Sequence, residues 1–261
     1  MFVISERING MFSDIKKAIQ NSDKGPVQEH ALKQIESGAN ILDINVGPAT
    51  ADKVGAMVWL VETVREVTDV TLSVDTAKFE AMKAGFEAAG GLLIMNSTKG
   101  DEESLNQHLP LAKEYDASVI ILTIDEKGVP SNVEGRVEIA MRGLAKAMEY
   151  EIDTDKIIID PIVLPANVAQ DQPKNVLQAI NEIRMLSDPP PHIVNGLSNL
   201  SQRCSNPGLI SRTFLAMCIG YGMDMVITDP TDKELMNTII TAEMLMNKSI
   251  YCDGFLEAYY S

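Results

Sequence analysis

Eight short apolar runs divide the chain at nearly regular intervals, and each run ends in polar or acidic residues. Spread over 261 residues, the runs recur about once every 33 residues, which is the rhythm of repeated strand and helix units. The polar endings are Ser5-Glu6, Asp43-Ile44-Asn45, Asp75-Thr76, Asn96-Ser97-Thr98, Thr123, Asp160-Pro161, Ser198-Asn199 and Thr228-Asp229.

The runs predict eight parallel strands with helices between them. Each intervening segment carries apolar residues at i, i+3, i+4 and i+7 spacing, as from Val54 to Val64, which gives one apolar stripe to pack on a sheet. Together they predict one α/β domain over residues 1–261, a (β/α)8 TIM barrel, with its active site at the C-terminal ends of the strands. The predicted strands are Phe2-Ser5, Ile41-Asn45, Thr71-Asp75, Leu92-Asn96, Val119-Thr123, Ile157-Asp160, Ile193-Leu197 and Met225-Thr228.

Local signals mark some helix starts and two long connections. Ser104 before Leu105, and Asp232 three residues before Leu235, are typical helix N-caps. The connections 8–22 and 162–172 are longer than a barrel requires. Such loops either close over a ligand or a partner, or are surface loops without a role.

Composition narrows the function classes. A net charge of −15 and a pI of 4.6 argue against nucleic-acid binding, which needs clustered Lys and Arg. The negative charge would repel a small anion at long range, so such a ligand would have to be held by local hydrogen-bond donors. The same charge is compatible with a partner protein that has a basic face. Three cysteines without a C-x-x-C pair indicate reduced thiols and a cytoplasmic protein, and the absence of long apolar stretches argues against a membrane.

The side chains at the polar ends of the predicted strands are mostly carboxylates and amides. His30, His108 and His192 lie on predicted helices or at a strand start, so they form neither a metal site nor a catalytic triad. A buried carboxylate cluster without cations needs a ligand with several N–H donors. The 2-amino-4-oxo-pyrimidine edge shared by pterins and guanine is such a ligand, since a carboxylate accepts its ring N–H and its amino group together.

Each aspartate also has a purely structural explanation. An Asp at a strand end often caps a helix or forms a turn, and Asp229, just before Pro230, fits that explanation best. Asp160 precedes Pro161, which favours an extended residue at a strand end. Because so many polar endings fall on one rim, we favour a binding site over a set of unrelated caps.

Seven segments carry a resemblance to a known family. They are Glu6-Arg7-Ile8-Asn9-Gly10, Asp43-Ile44-Asn45-Val46-Gly47-Pro48, Asp75, Asn96-Ser97-Thr98, Asp160-Pro161, Leu164-Pro165-Ala166-Asn167-Val168-Ala169-Gln170-Asp171 and Gly196-Leu197-Ser198-Asn199-Leu200-Ser201-Gln202. Together they resemble the pterin-binding barrel family over essentially the whole chain. Within it the chain is most similar to methyltransferases that act on a corrinoid iron-sulfur protein in the reductive acetyl-CoA pathway.

The resemblance implies transfer of the N5-methyl group of 5-methyltetrahydrofolate to Co(I) cobalamin carried by that partner, with no cofactor tightly bound by the chain itself and no metal. It implies a homodimer, to which segments 234–246 and 250–260 would contribute. The family can place an arginine shortly after Gln202, where this chain has Asn206-Pro207-Gly208, so Arg203 is the candidate to replace it. By the same resemblance, Asn199 would act at N5, and the other site residues would be Asp75, Asn96, Asp160, Gly196, Ser198, Gln202, Asp43 and Glu6.

Two other interpretations remain open at this point. Dihydropteroate synthases are similar barrels, but they are expected to carry Ser-Arg-Lys where this chain has Ser198-Asn199-Leu200. They are also expected to carry a Ser-Thr-Arg run that is absent after Gly47. A folate-binding module without catalysis, or a scaffold for a corrinoid protein, is the alternative from another class.

Overall fold

The computed structural model describes residues 1–260 and confirms the (β/α)8 barrel. Eight parallel strands follow the sheet order β7-β6-β5-β4-β3-β2-β1-β8. Strands β7 and β8 stand at the two ends of this order. The segment after β7 connects them through a bridge between Gly196 and Ile227 and a 3.0 Å hydrogen bond from Ile227 N to Asn195 O. The strands are β1 Phe2–Asn9, β2 Ile41–Asn45, β3 Thr71–Asp75, β4 Leu93–Lys99, β5 Ser118–Leu122, β6 Ile157–Asp160, β7 His192–Ile193 and β8 Met225–Thr228.

The helices lie between the strands in sequence, as the periodicity predicts. They are α1 Ser13–Asn21, α2 Lys24–Glu36, α3 Lys53–Arg65, α4 Phe79–Ala89, α5 Glu102–Glu114, α6 Val133–Glu149, α7 Gln172–Arg184, α8 Leu197–Leu200, α9 Pro207–Tyr221, α10 Lys233–Leu245 and α11 Phe255–Tyr260. The connection 8–22 is therefore mostly structured, because it contains the end of β1 and the whole of α1. None of the helices in residues 1–260 combines the length and the apolar character needed to cross a membrane.

One predicted cap is wrong and one is confirmed. Helix α5 begins at Glu102, and its N-cap is Asp101, whose carboxylate accepts hydrogen bonds from the Ser104 N–H (2.8 Å) and hydroxyl (2.9 Å). An aspartate is as good an N-cap as a serine, and it comes earlier in the chain. Asp232 caps α10 as predicted, accepting from Leu235 N at 3.1 Å.

Four strand ends differ from the prediction, that of β5 by one residue, since it ends at Leu122 instead of Thr123. β1 and β4 continue past Ser5 and Asn96, and both carry a bulge at that point, since the register shifts between Ser5 and Ile8 and between Asn96 and Thr98. β7 stops at Ile193 instead of Leu197, and Leu197 begins helix α8. The neighbouring strand β6 ends just before Pro161, which has no N–H to continue the ladder with β7.

The barrel interior is divided into an apolar floor and a polar mouth. The floor is a layer of buried side chains, one from almost every strand, that interdigitate below the C-terminal ends. Residues two positions further along several strands are polar, so they lie one layer higher at the mouth. The floor consists of Ile4, Ile41, Ile94, Ile120, Ile158, Val194 and Met225.

Candidate functional site

Three neighbouring strands deliver their polar ends to the mouth at the same level. In the parallel register, Asn45 of β2 pairs with Asp75 of β3, and Asp75 pairs with Asn96 of β4. The Asn45 amide donates to Asp75 Oδ2 at 2.5 Å. The bulge after Asn96 shifts the register of the pairing between β4 and β5, a common device for aiming a side chain at a site.

Asp43 lies one layer below these residues and supports them. It is 3% exposed, and its Oδ1 accepts hydrogen bonds from the Ser73 hydroxyl (2.6 Å) and the Asn96 amide (3.0 Å). Asp43 and Asp75 also hydrogen-bond to each other, which requires a proton between them. Burial, joined for Asp43 by the negative charge of Asp75, raises the pKa of Asp43 well above its usual range and that of Asp75 to about 6.

Asp160 closes the opposite side of the mouth. Its Oδ1 accepts from the Ile162 backbone N–H at 2.8 Å and from the Asn195 amide at 3.1 Å. Among residues 1–260 no donor reaches Oδ2, so this oxygen is available to a ligand. Burial raises the pKa of Asp160 to about 7, which the hydrogen bond from Ile162 opposes.

The bulge in β1 sends two adjacent side chains in different directions. Glu6 reaches the mouth, where Ser198 donates to its Oε2 at 3.1 Å. Arg7 instead donates to Asp14 of α1 at 2.5 Å and stacks on Phe12. Burial raises the pKa of Glu6 above its usual value, partly offset by the Ser198 hydrogen bond, and the charge of Asp229 raises it further.

Helix α8 brings Ser198 and Asn199 to the rim as exposed side chains. Gly196 precedes the helix, and a Cβ built on it would lie 3.3 Å from the Asn199 Nδ2 atom, so a side chain there would crowd the Asn199 amide. Gln202 is also exposed, just beyond α8. Arg203 follows it in a left-handed backbone conformation, with φ of 60°.

The structure thus gathers the nine predicted residues into two groups. Glu6, Asp43, Asp75, Asn96 and Asp160 lie inside the mouth, on five different strands. Gly196, Ser198, Asn199 and Gln202 form a rim segment above it, and the Ser198 to Glu6 hydrogen bond joins the two groups.

Three supporting residues were not among the predicted site residues, although Asn45 was one of the polar strand endings. Asn45, Ser73 and Asn195 each hydrogen-bond a mouth carboxyl. Ser73 and Asn195 interrupt apolar runs, and a buried polar residue inside an apolar strand was the available signal. Their partners depend on register and on the β7 turn, which the pattern does not specify.

Asp229 and His30, which the sequence analysis did not place in the site, have other partners, although the charge of Asp229 still acts on Glu6. Asp229 accepts from the Thr231 N–H (3.0 Å) and hydroxyl (2.8 Å), as a turn former does. His30 contacts Asp14 on the outer helices at 2.8 Å. Within residues 1–260, no cluster of three or more His, Cys, Asp or Glu side chains is arranged to hold a metal ion.

The connection 161–171 follows β6, contains no helix or strand, and is anchored by one buried arginine. Arg136 of α6 is fully buried, and its guanidinium donates to Pro161 O (2.8 Å), Asn132 O (3.1 Å) and Gln172 Oε1 (3.0 Å). These bonds hold both ends of the connection to the same helix. The predicted loop is therefore confirmed as a loop, while its role stays a prediction.

Comparison with known proteins relates the whole barrel to pterin enzymes. A family model described as "Pterin binding enzyme" matches residues 6–229. The chain is 28% identical over 261 residues to the methylcorrinoid:tetrahydrofolate methyltransferase of Eubacterium limosum, covering 99% of this chain and 96% of that protein. It is also 28% identical to methionine synthase of Mycobacterium leprae, covering 87% of this chain but only 20% of that longer protein.

Solved structures show the same fold at lower identity. The chain superposes on Yersinia pestis dihydropteroate synthase in a sulfonamide complex with a TM-score of 0.72 and 14% identity, covering 95% of this chain and 94% of that one. Coxiella burnetii dihydropteroate synthase in complex with pteroic acid gives a TM-score of 0.68 and 16% identity, with 93% of both chains covered.

Proposed function

The chain belongs to the pterin-binding enzyme family, and we propose that it transfers a methyl group between N5 of tetrahydrofolate and the cobalt of a cobalamin carried by a partner protein. One observation carries the proposal: a mouth of carboxyls and amides is joined through the Ser198 to Glu6 hydrogen bond to helix α8, which exposes the amide of Asn199, a group that cannot titrate. Similarity along the full length to a methylcorrinoid:tetrahydrofolate methyltransferase supports the same chemistry.

The mouth suits the pyrimidine edge of a pterin. Asp75 and Asp160 offer carboxylate oxygens to its N–H groups, and Asn96 offers both an acceptor and a remaining N–H to its mixed donor and acceptor edge. Asp43 acts from below by holding Asn96 and Asp75 in place. Glu6, Ser198, Gly196 and Gln202 complete the wall on the side of α8.

The chemical step is a displacement at a methyl carbon. In the direction from methyltetrahydrofolate, the C–N5 bond breaks, its electron pair stays on N5, and the electron pair of Co(I) forms the new bond to the methyl group. An amine leaves readily only if positive charge or a hydrogen bond stabilises N5 as the bond breaks. Asn199 offers an amide oxygen to a protonated N5 and an amide N–H to a neutral one, so it serves both states.

Direction and partner are the finer parts of the proposal. The same residues serve both directions, since a displacement retraces one path, and the Eubacterium limosum relative is named for the reverse transfer. We assign the forward direction, towards a corrinoid iron-sulfur protein in the reductive acetyl-CoA pathway, because the resemblance in residues 6–10, 43–48 and 160–171 is to enzymes of that type. The exposed rim leaves the mouth open to a corrin ring.

Assembly as a homodimer is part of the same proposal. Helices α10 and α11 lie where the sequence predicts a contribution, and they and their connection expose Leu245 (74%), Ile250 (94%) and Tyr251 (62%). Apolar side chains exposed together are typical of interaction surfaces. Light scattering is expected to give about 57 kDa, twice the 28.5 kDa chain mass.

The proposal is tested by mixing the protein anaerobically with 5-methyltetrahydrofolate and Co(I) cobalamin and following the cobalt absorbance. Loss of the Co(I) band at a rate that scales with protein concentration supports methyl transfer. A band that persists, while calorimetry still detects folate binding, makes the protein a binding module. Condensation of a pterin pyrophosphate with 4-aminobenzoate would instead make it a dihydropteroate synthase.

A further inference from the structure

The most unusual buried group at the site is the Asn195 side chain. It is fully buried between β7 and α8, and it donates from Nδ2 to Asp160 Oδ1 (3.1 Å) and to Val194 O (3.2 Å). Its own Oδ1 atom has no hydrogen-bond partner among the described residues. A buried unsatisfied carbonyl is unfavourable, so the fold retains this amide at a cost in stability.

The orientation of the amide is fixed by what it faces. Both Nδ2 bonds run to acceptors, one a carboxylate oxygen and the other a backbone carbonyl oxygen. Turning the amide over would bring its carbonyl oxygen against these two acceptors, which is repulsive while Asp160 is ionised. The amide therefore favours one charge state and one rotamer of its neighbour.

We infer that Asn195 is a positioning residue that keeps Asp160 ionised and turns its Oδ2 towards the pterin. Asn195 does not touch the ligand, because its side chain is buried behind Asp160. Together with Ile162 N it occupies Oδ1 and leaves Oδ2 to the mouth. This inference rests on the proposed pterin site, and it adds a residue to which neither the sequence nor the comparisons assign a role.

Few other charges act on Asp160 from its neighbours. β5 presents Leu122 opposite it, α6 presents Arg136, which is engaged with Pro161 O, and α7 begins after Asp171. The carboxyls that titrate across the mouth are on β1, β2 and β3: Glu6, Asp43 and Asp75. A change at residue 195 should therefore act on the titration of Asp160 without altering the other three.

The variant Asn195→Leu removes the donor and the unsatisfied carbonyl while keeping a branched side chain with the same number of heavy atoms. Losing a donor raises the pKa of the carboxyl, so the pH at which folate affinity is half-maximal should rise by about one unit from near 7. The ionised fraction at pH 7 then falls from about a half to about a tenth, a roughly fivefold loss of affinity, and the loss should disappear above about pH 9. Asn195→Asp, an isosteric change that adds a like charge, should shift the midpoint further.

The decisive experiment is calorimetric titration with 5-methyltetrahydrofolate between pH 5.5 and 9.5 for wild type, Asn195→Leu, Asn195→Asp, Asp160→Asn and Asn195→Leu/Asp160→Asn, with folding checked by circular dichroism. The inference expects a shifted midpoint in both variants of residue 195 and no effect of Asn195→Leu when residue 160 is Asn, that is, strong coupling. A loss that is equal at every pH, or that persists in the double variant, overturns it and leaves Asn195 a packing residue. If wild type binds no folate at any pH, the proposed function fails and this inference fails with it.

Discussion

At the scale of single residues, the site separates groups that titrate from one that does not. Asp43, Asp75, Asp160 and Glu6 have raised pKa values because the mouth is poorly solvated. Asn199 has no proton to lose and lies at the rim. In the proposed mechanism, recognition and chemistry therefore fall on different side chains.

Asn199→Ala is expected to lower the methyl-transfer rate far more than it weakens folate affinity. The amide acts mainly where charge develops at N5, and an interaction made in the transition state appears in the rate. Stopped-flow absorbance of Co(I) and calorimetry measure the two quantities. Asn181→Ala, an exposed substitution on α7, is the matched control; equal losses in rate and affinity for Asn199→Ala would make that residue a binding group only.

Asp160→Asn is expected to weaken folate binding tenfold or more near neutral pH. The change replaces a charge-assisted hydrogen bond, worth roughly 1.5–3 kcal/mol, by a neutral one. Fluorescence or calorimetric titration at pH 8, where the wild-type carboxyl is mostly ionised, gives the clearest comparison. Unchanged affinity would remove Asp160 from the site.

At the scale of elements, the predicted strand bounds were accurate wherever the hydrophobic pattern alone determines where a strand begins and ends. β2, β3, β6 and β8 have the predicted bounds, since each is an apolar run ended by a polar residue. The bulges at Glu6 and Asn96 and the early end of β7 were not predicted, because they depend on neighbouring strands. The same limit applies to the candidate site: the pattern marks its carboxyls as strand endings, while the contacts of the supporting Asn45, Ser73 and Asn195 depend on register.

The connection 161–171 provides a prediction at this scale. Arg136→Lys replaces three donated hydrogen bonds by one ammonium group that cannot reproduce their planar geometry. Hydrogen exchange across residues 161–171 should become faster, and folate affinity should fall several-fold because Ile162 N no longer holds Asp160 as firmly.

The matched control is Arg65→Lys. Arg65 also donates to three backbone carbonyls, those of Ala89, Val70 and Gly90, but at the opposite end of the barrel. The Arg65→Lys variant should be less stable than wild type, but hydrogen exchange in the connection 161–171 and the folate affinity should not change. Similar folate losses in both variants would show that Arg136 acts only through global stability.

At the scale of the whole molecule, the mouth opposes folding at alkaline pH. The pKa of Asp160 rises from 3.8 to about 7 on folding and that of Asp75 to about 6. A carboxyl whose folded pKa is raised contributes stability below its unfolded pKa and loses it as the pH rises through the folded pKa. These two groups therefore lower the stability of the ligand-free protein progressively as the pH rises from about 4 to about 7, and the loss persists above pH 7.

Asp160→Asn should consequently raise the melting temperature clearly more at pH 8 than at pH 5, where only part of the penalty for ionising the buried carboxyl has developed. A shift of about three units corresponds to an upper limit on the order of 4 kcal/mol, reduced where Asn keeps the hydrogen bond from Ile162. Thermal denaturation at both pH values measures it, with Asp153→Asn on the surface as control. A gain that is equal at both pH values, or absent at pH 8, would contradict the assignment of a raised pKa.

The apolar floor has a consequence for the timing of the reaction. The seven apolar side chains of the floor close the barrel beneath the carboxyls. Protons and water therefore reach the carboxyls only from the side of the open mouth. A protein docked over that side would isolate them from bulk solvent for as long as it stayed. The protonation state of the mouth carboxyls would then be fixed when the partner docks. The pH of the buffer would affect the docking and release of the partner, and it would not affect the methyl displacement itself.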